Sequence, residues 1–189
     1  MLLASTSPQR PAILRQLGIP FDAVAPRYEE RDAPDADPAD LVREHALGKA
    51  RSVAGQAGDR PVLGVDTAVC IGGRTLGKPG DAAEAFAMLE ELSGRTHVVL
   101  SGLCLMTPAW ELVHVAETSV TFRALTPRDL AAYVAAGEWE RRAGAYAIQG
   151  RGAALVERID GDYLNVVGLP AALLVRLLAE RFAGVYGFG

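Results

Sequence analysis

The 189-residue chain reads as an α/β fold: a mixed, twisted sheet with flanking helices. Three observations predict it. Short apolar runs of strand length alternate with stretches of helical spacing. The alternation is irregular, and two pairs of runs meet as hairpins, which a purely parallel sheet would not contain. No repeat, linker or low-complexity segment divides the sequence, so a single domain over 1–189 is expected.

The elements follow in order. Met1 to Ala4 is a short buried strand. Ser7 reads as the cap of the next helix, with Pro8 at its first position; Ile13, Leu14 and Leu17 keep helical spacing and Gly18 stops it. Phe21 to Ala25 is a second strand, and the charged, Pro-containing segment Arg27 to Asp37 is a loop. Asp37-Pro38 opens a helix through Val53. Pro61 to Cys70 is a strand that Gly72-Gly73 turns into a hairpin.

Asp81 to Leu92 is an Ala-rich helix, and Thr96 to Met106 with Glu111 to Phe122 forms a long hairpin. Thr126-Pro127-Arg128-Asp129 is a helix start of capping-box type, with Gly137 as the stop. A loop, the strand ALVERI and a turn at Asp160-Gly161-Asp162 lead to a last helix. Its apolar stripe is Leu173, Leu174, Leu177, Leu178 and Phe182.

Composition limits function. Half of the residues are hydrophobic and 22% are charged, as in a globular protein. The net charge of −4 argues against binding a nucleic acid polymer, though not against a local basic pocket for one small anion. Cys70 and Cys104 read as buried small hydrophobes, and the three histidines lack the spacing of a zinc site. The amino terminus has no basic n-region and no run approaches a membrane span, so a soluble, cytoplasmic protein is expected.

Chemistry can sit at six places. The turn Ser5-Thr6-Ser7 joins a strand to a helix start, and Arg10 adds a full charge; it serves either as an anion site or simply as a cap. Asp66 lies in the apolar run Val65-Asp66-Thr67-Ala68-Val69, so it needs a partner, a metal or a raised pKa. Glu29 and Glu30 read by default as a solvated stretch, and Lys49 as an exposed cation on its helix.

Gly72 to Lys78 matches the first seven positions of a P-loop, but Pro79 stands where the hydroxyl residue should be. That motif is rejected, while Lys78 remains a phosphate ligand as a point charge. Ala143 to Gly152 sets three glycines around Gln149, whose amide suits a base edge, although ordinary β-turns share that composition.

Six blocks in chain order resemble the Maf family of nucleotide pyrophosphatases. They are Leu3-Ala4-Ser5-Thr6-Ser7-Pro8-Gln9-Arg10, Asp66-Thr67-Ala68-Val69, Gly77-Lys78-Pro79, Leu92-Ser93-Gly94-Arg95-Thr96-His97, Ala143 to Gly150 and Val166 to Pro170. The resemblance implies hydrolysis of a nucleoside triphosphate between its α and β phosphates. It also implies a two-lobed fold around a cleft, similar to the inosine triphosphate pyrophosphatases, a divalent cation (Mg2+, or Mn2+) and a homodimer.

The Asp-Thr and Tyr-x-Ile-Gln-Gly versions look like the branch acting on dTTP and UTP. Gln9 departs from it, standing where that branch usually has Arg. Carried over, the resemblance makes Asp66 the base or metal ligand and Glu30 the second metal carboxylate. Ser5, Ser7, Arg10, Lys49 and Lys78 would hold the triphosphate, with Gln9, Thr67 and Gln149 toward the base. A 7-methyl-GTP pyrophosphatase, a house-cleaning enzyme for modified nucleotides and a nucleotide-binding regulator of septum formation stay open beside it.

Overall fold

A computed structural model describes residues 1–31 and 36–188; part of the expected loop Arg27 to Asp37, residues 32–35, lies outside them. Seven strands form one mixed sheet: β1 (Leu2–Ala4), β2 (Asp22–Val24), β3 (Val62–Ile71), β4 (Arg74–Leu76), β5 (Thr96–Thr107), β6 (Trp110–Phe122) and β7 (Val156–Asp160). Their order is β2-β1-β3-β5-β6-β7, with β4 paired to β3. β1 runs parallel to both β2 and β3, whereas β4 and β7 run antiparallel to their neighbours. Among the described residues six α-helices accompany the sheet: α1 (Gln9–Gln16), α2 (Pro38–Val53), α3 (Ala82–Leu92), α4 (Pro127–Ala135), α5 (Tyr163–Val167) and α6 (Ala171–Arg181).

The residues divide into two compact units. One holds Met1–Thr67, Ser101–Ala116 and Gly168–Gly189, the other Ala68–Leu100 and Glu117–Val167. In the first, Leu2, Ala4, Val62 and Cys104 of the sheet pack with Ala46, Ala50 and Val53 of α2. Glycine makes that contact possible. A Cβ at Gly64 would overlap the Ala46 carbonyl, and one at Gly102 would overlap the carbonyl of Val42. α2 therefore rests on the strands backbone to backbone, which brings its side chains down onto β3.

In the second unit, Leu89 and Leu92 of α3 and Leu130 and Tyr133 of α4 enclose Val69, Val99, Val120 and Phe122. The helix starts follow from local chemistry. Asp37 accepts from Ala39 N–H, Asp81 from Glu84 N–H, and Thr126 with Asp129 completes a capping box. Gly72 and Gly73 both take positive φ (59° and 80°), as a two-residue hairpin turn requires.

Three expectations need correction. The residue flanking α1 is Pro8 and no side chain caps that helix; the Ser7 hydroxyl donates instead to Gln9 Oε1 at 2.9 Å. Ala154 and Leu155, read as strand, belong to a 3-10 turn over Gly150–Leu155, so β7 starts at Val156. The stretch before the last helix contains the short α5, held by Asp162, whose Oδ1 accepts Leu164 N–H at 2.8 Å. Cys70 and Cys104 are both buried, as expected. Burial pushes the Cys104 thiol up to about 12, so it is an inert apolar group.

Candidate functional site

In the first unit, the end of β1 turns through Ser5, whose amide donates to Val24 C=O and whose Oγ accepts the Ser7 N–H at 3.1 Å. The same Oγ accepts from Arg10 Nη1 at 3.2 Å. Arg10 is buried, only 8% exposed, and its other nitrogens are also engaged: Nε donates to Gly168 C=O at 3.0 Å and Nη2 to Thr67 Oγ1 at 3.4 Å. Thr67 Oγ1 further pairs with Ser101 Oγ at 2.9 Å. Burial lowers the Arg10 pKa, while the nearby charges of Asp66 and Glu30 pull it back up. The guanidinium is thus a fixed cation with a fixed direction.

Lys49 overturns its default reading. It is 7% exposed, and its Nζ lies 2.5 Å from Asp66 Oδ1 and 2.6 Å from Glu30 Oε1. A buried ammonium loses hydration, and two carboxylates on one cation compensate for that loss. Glu29, by contrast, is exposed and pairs with Arg31, as a solvated residue would.

The segment before Glu30 is fastened along one face of α2. Arg27 N–H donates to Ser52 Oγ at 3.1 Å, and Tyr28 OH pairs with His45 Nδ1 at 3.1 Å. The Tyr28 ring lies on the bare backbone of Gly48, where a Cβ would collide with it. Positions 45, 48, 49 and 52 share a helix face, so these anchors deliver Glu30 to Lys49.

The second unit carries the other two candidates. Lys78 follows β4 in an exposed segment, and it forms no ion pair among the described residues. The rejected P-loop is here a hairpin, with no helix after the lysine until Ala82. Gly77 C=O accepts Gly144 N–H at 3.0 Å, tying the Lys78 segment to the glycine-rich stretch. In that stretch Gly144 and Ala145 both have positive φ (67° and 61°), a strained geometry for the alanine. Gln149 is exposed, and its side chain caps nothing.

Sequence reasoning missed three contributors: Ser101, Gly168 and Tyr28. Ser101 had a usable signal, a hydroxyl in an apolar strand like the carboxylate of Asp66. Gly168 lies within the Val166 to Pro170 block, but a carbonyl that receives Arg10 leaves no trace in residue type.

Among the described residues, no group of three or more His, Cys, Asp or Glu gathers for a metal. Asp66 and Glu30 nonetheless fit Mg2+ in chemistry. Both offer hard oxygen, and that ion commonly takes one or two protein carboxylates and completes its shell with phosphate and water.

A family model described as Maf-like protein matches residues 1–181. The dTTP/UTP pyrophosphatase of Deinococcus radiodurans is 48% identical over 189 residues, covering 100% of this chain and 95% of its own. Those of Gloeobacter violaceus and Moorella thermoacetica are each 49% identical, over 95% and 99% of this chain and 95% and 97% of theirs. The Staphylococcus aureus Ham1 protein, 13% identical, overlays 64% of this chain and 70% of its own with a TM-score of 0.43, a likeness too slight to carry any weight.

Proposed function

The chain belongs to the Maf family, and on that premise we propose that it is a nucleoside triphosphate pyrophosphatase acting on dTTP and UTP. Water attacks the α-phosphorus, the bond from that phosphorus to the bridging oxygen breaks, and the products are the nucleoside monophosphate and pyrophosphate. Support comes from relatives named for that activity at 48–49% identity over nearly the whole chain. The observation that carries the reading is the buried ammonium of Lys49 shared between Asp66 and Glu30.

In this reading Asp66 accepts the proton of the attacking water. Its Oδ1 is occupied by Lys49, so the proton goes to Oδ2. Glu30 would hold a divalent cation, Mg2+ or Mn2+, with Asp66 as its second carboxylate where that residue serves as ligand instead of base; when bound, the cation would offset phosphate charge and orient the water. Ser5, Ser7, Arg10, Lys49 and Lys78 hold the triphosphate; Gln9, Thr67 and Gln149 serve the nucleoside. Hydrolysis of phosphoanhydrides depends mostly on positioning and electrostatics, which suits side chains already fixed by hydrogen bonds. We take the chain to act as one domain over 1–189, in the cytoplasm and as a homodimer, on the family resemblance. No described helix is long and apolar enough to cross a membrane.

Pyrophosphate release across a nucleotide panel with Mg2+ and with Mn2+ tests this. The expected result is a kcat/KM for dTTP and UTP about a hundredfold above the purine triphosphates, within what hydrogen-bonded recognition supplies. A clear preference for 7-methyl-GTP would move the chain to that branch. Tight binding without release under either metal would leave a nucleotide-binding regulator of septum formation.

A further inference from the structure

Glu138 plays no part in the hydrolytic chemistry, yet its carboxylate is fully committed to backbone. It sits just beyond α4 and receives the Arg151 N–H on both oxygens, at 3.1 and 2.9 Å, and the Gly152 N–H on Oε2 at 3.3 Å. Gly150 faces the same carboxylate with φ +63°; a Cβ there would stand 2.8 Å from Oε1 and 3.0 Å from Oε2. The glycine-rich stretch is therefore shaped around an acid supplied by the chain itself.

A glycine loop that cradles phosphate presents free N–H groups to the anion. Here the N–H groups of Arg151 and Gly152 are filled by Glu138, and a phosphate brought to them would meet a carboxylate. The stretch is not the triphosphate cradle. What it offers outward is the amide of Gln149, the residue just before the clamped turn, exposed and without a cap bond of its own.

The other side of the segment is held as firmly. Ala147 N–H donates to Tyr133 OH at 3.0 Å, and Tyr146 OH pairs with His97 Nε2 at 2.8 Å. Gly152 packs so closely on the Ala147 carbonyl that no side chain would fit between them. Gln149 thus projects from a loop fixed on both flanks, with a donor and an acceptor that match the O4 and N3–H edge of thymine or uracil.

We propose that Glu138 is a positioning residue for nucleobase selection: by clamping residues 150–152 it sets Gln149 where it reads the pyrimidine edge. The inference rests on the triphosphate pyrophosphatase reading and adds the residue that orders its base contact. The charge of the clamp matters, because charge-assisted hydrogen bonds to backbone are stronger than neutral ones.

The test compares wild type with Glu138→Ala and Glu138→Gln in the full chain. Three readouts are used: melting temperature, hydrogen exchange at the Arg151 and Gly152 amides, and kcat/KM for UTP, dTTP, GTP and ATP. Glu138→Ala should speed exchange at both amides and lower kcat/KM for UTP and dTTP on the order of 10- to 100-fold, mainly through KM, as a misplaced contact does. Purine triphosphates should fall less than about threefold, so selectivity narrows; a residue that only stabilised the fold would lower all four alike. Glu138→Gln, which keeps one acceptor oxygen, should lie between, and it carries the comparison if the alanine variant does not fold.

A selective wild type whose variants keep its pyrimidine-to-purine ratio would overturn the inference alone. Unchanged exchange at both amides would do the same. A wild type that releases pyrophosphate from none of the four would overturn the enzymatic reading and this inference together.

Discussion

The carbonyl oxygen of Val42 occupies the space in which a side chain at Gly102 would begin. α2 can lie on β5 only because that position is bare. Gly102→Ala would force the helix away and, with it, Lys49. Overpacking a core typically costs about 1–3 kcal/mol, and contact with rigid backbone puts this case at the upper end or beyond. We expect a urea midpoint lower by that amount and much reduced activity; a variant with wild-type stability would contradict the close approach.

Asp66→Asn keeps the size of the side chain and removes the proton acceptor. Turnover should fall by about 10²–10⁴, the span of general-base catalysis, with a circular-dichroism spectrum like that of wild type. Near-normal pyrophosphate release by the folded variant would remove Asp66 from its role.

Lys49→Met leaves Asp66 and Glu30 facing each other without their shared cation. Removing one partner of a buried ion pair costs about 3–5 kcal/mol, less here because Glu30 is half exposed. The double variant Lys49→Met/Asp66→Asn should recover part of that stability while staying inactive. A double-mutant cycle of thermal unfolding gives the coupling directly, and additive effects would show that the contact has no energetic content.

His97 is 1% exposed, with its ring edge-on to Phe122 and Tyr146. Burial lowers its pKa to about 4, so the folded state keeps the ring neutral while an unfolded chain takes up a proton near pH 6.5. Between those values the unfolded state binds more protons. Stability present above pH 6.5 is therefore lost as pH falls toward 4, by on the order of 3 kcal/mol. The urea midpoint of His97→Phe should fall less steeply than that of wild type between pH 7 and 5; parallel slopes would refute the assignment.

The parts of the fold that are legible in the sequence have local causes. Asp37-Pro38, Asp81 and the Thr126–Asp129 box announce helices because the cap and the amides it satisfies lie within three residues. Leu155 reads as strand from its neighbours, but its backbone follows a turn fixed by Glu138, thirteen residues before Arg151. Apolar periodicity carries no sign of that contact. α5 escapes because five residues are too few to show a helical period: Asp162 caps it locally, while Asn165 ties it to Val99 C=O and Thr118 Oγ1, both distant in sequence.

The candidate site divides the same way. Asp66 is conspicuous because an ionised group in an apolar strand has few inexpensive explanations. Lys49 is inconspicuous because a lysine among Arg43 and Arg51 looks like any helix surface. Its burial depends on Glu30 and Asp66, which arrive from a loop and a strand. Ser7 suggests a cap, yet a proline-led helix start leaves that hydroxyl to bond the nearest amide, Gln9.

Lys49 gives the acidic pair a resident counterion, and Arg10, buried within reach of both carboxylate charges, balances the second. Two negative groups thus meet two positive ones, and the polypeptide is electrically self-sufficient there. A divalent ion would then be a working part rather than a structural rivet. Washing the protein with a chelator should abolish pyrophosphate release yet leave its melting temperature unchanged, and activity should return on adding Mg2+ without any refolding step.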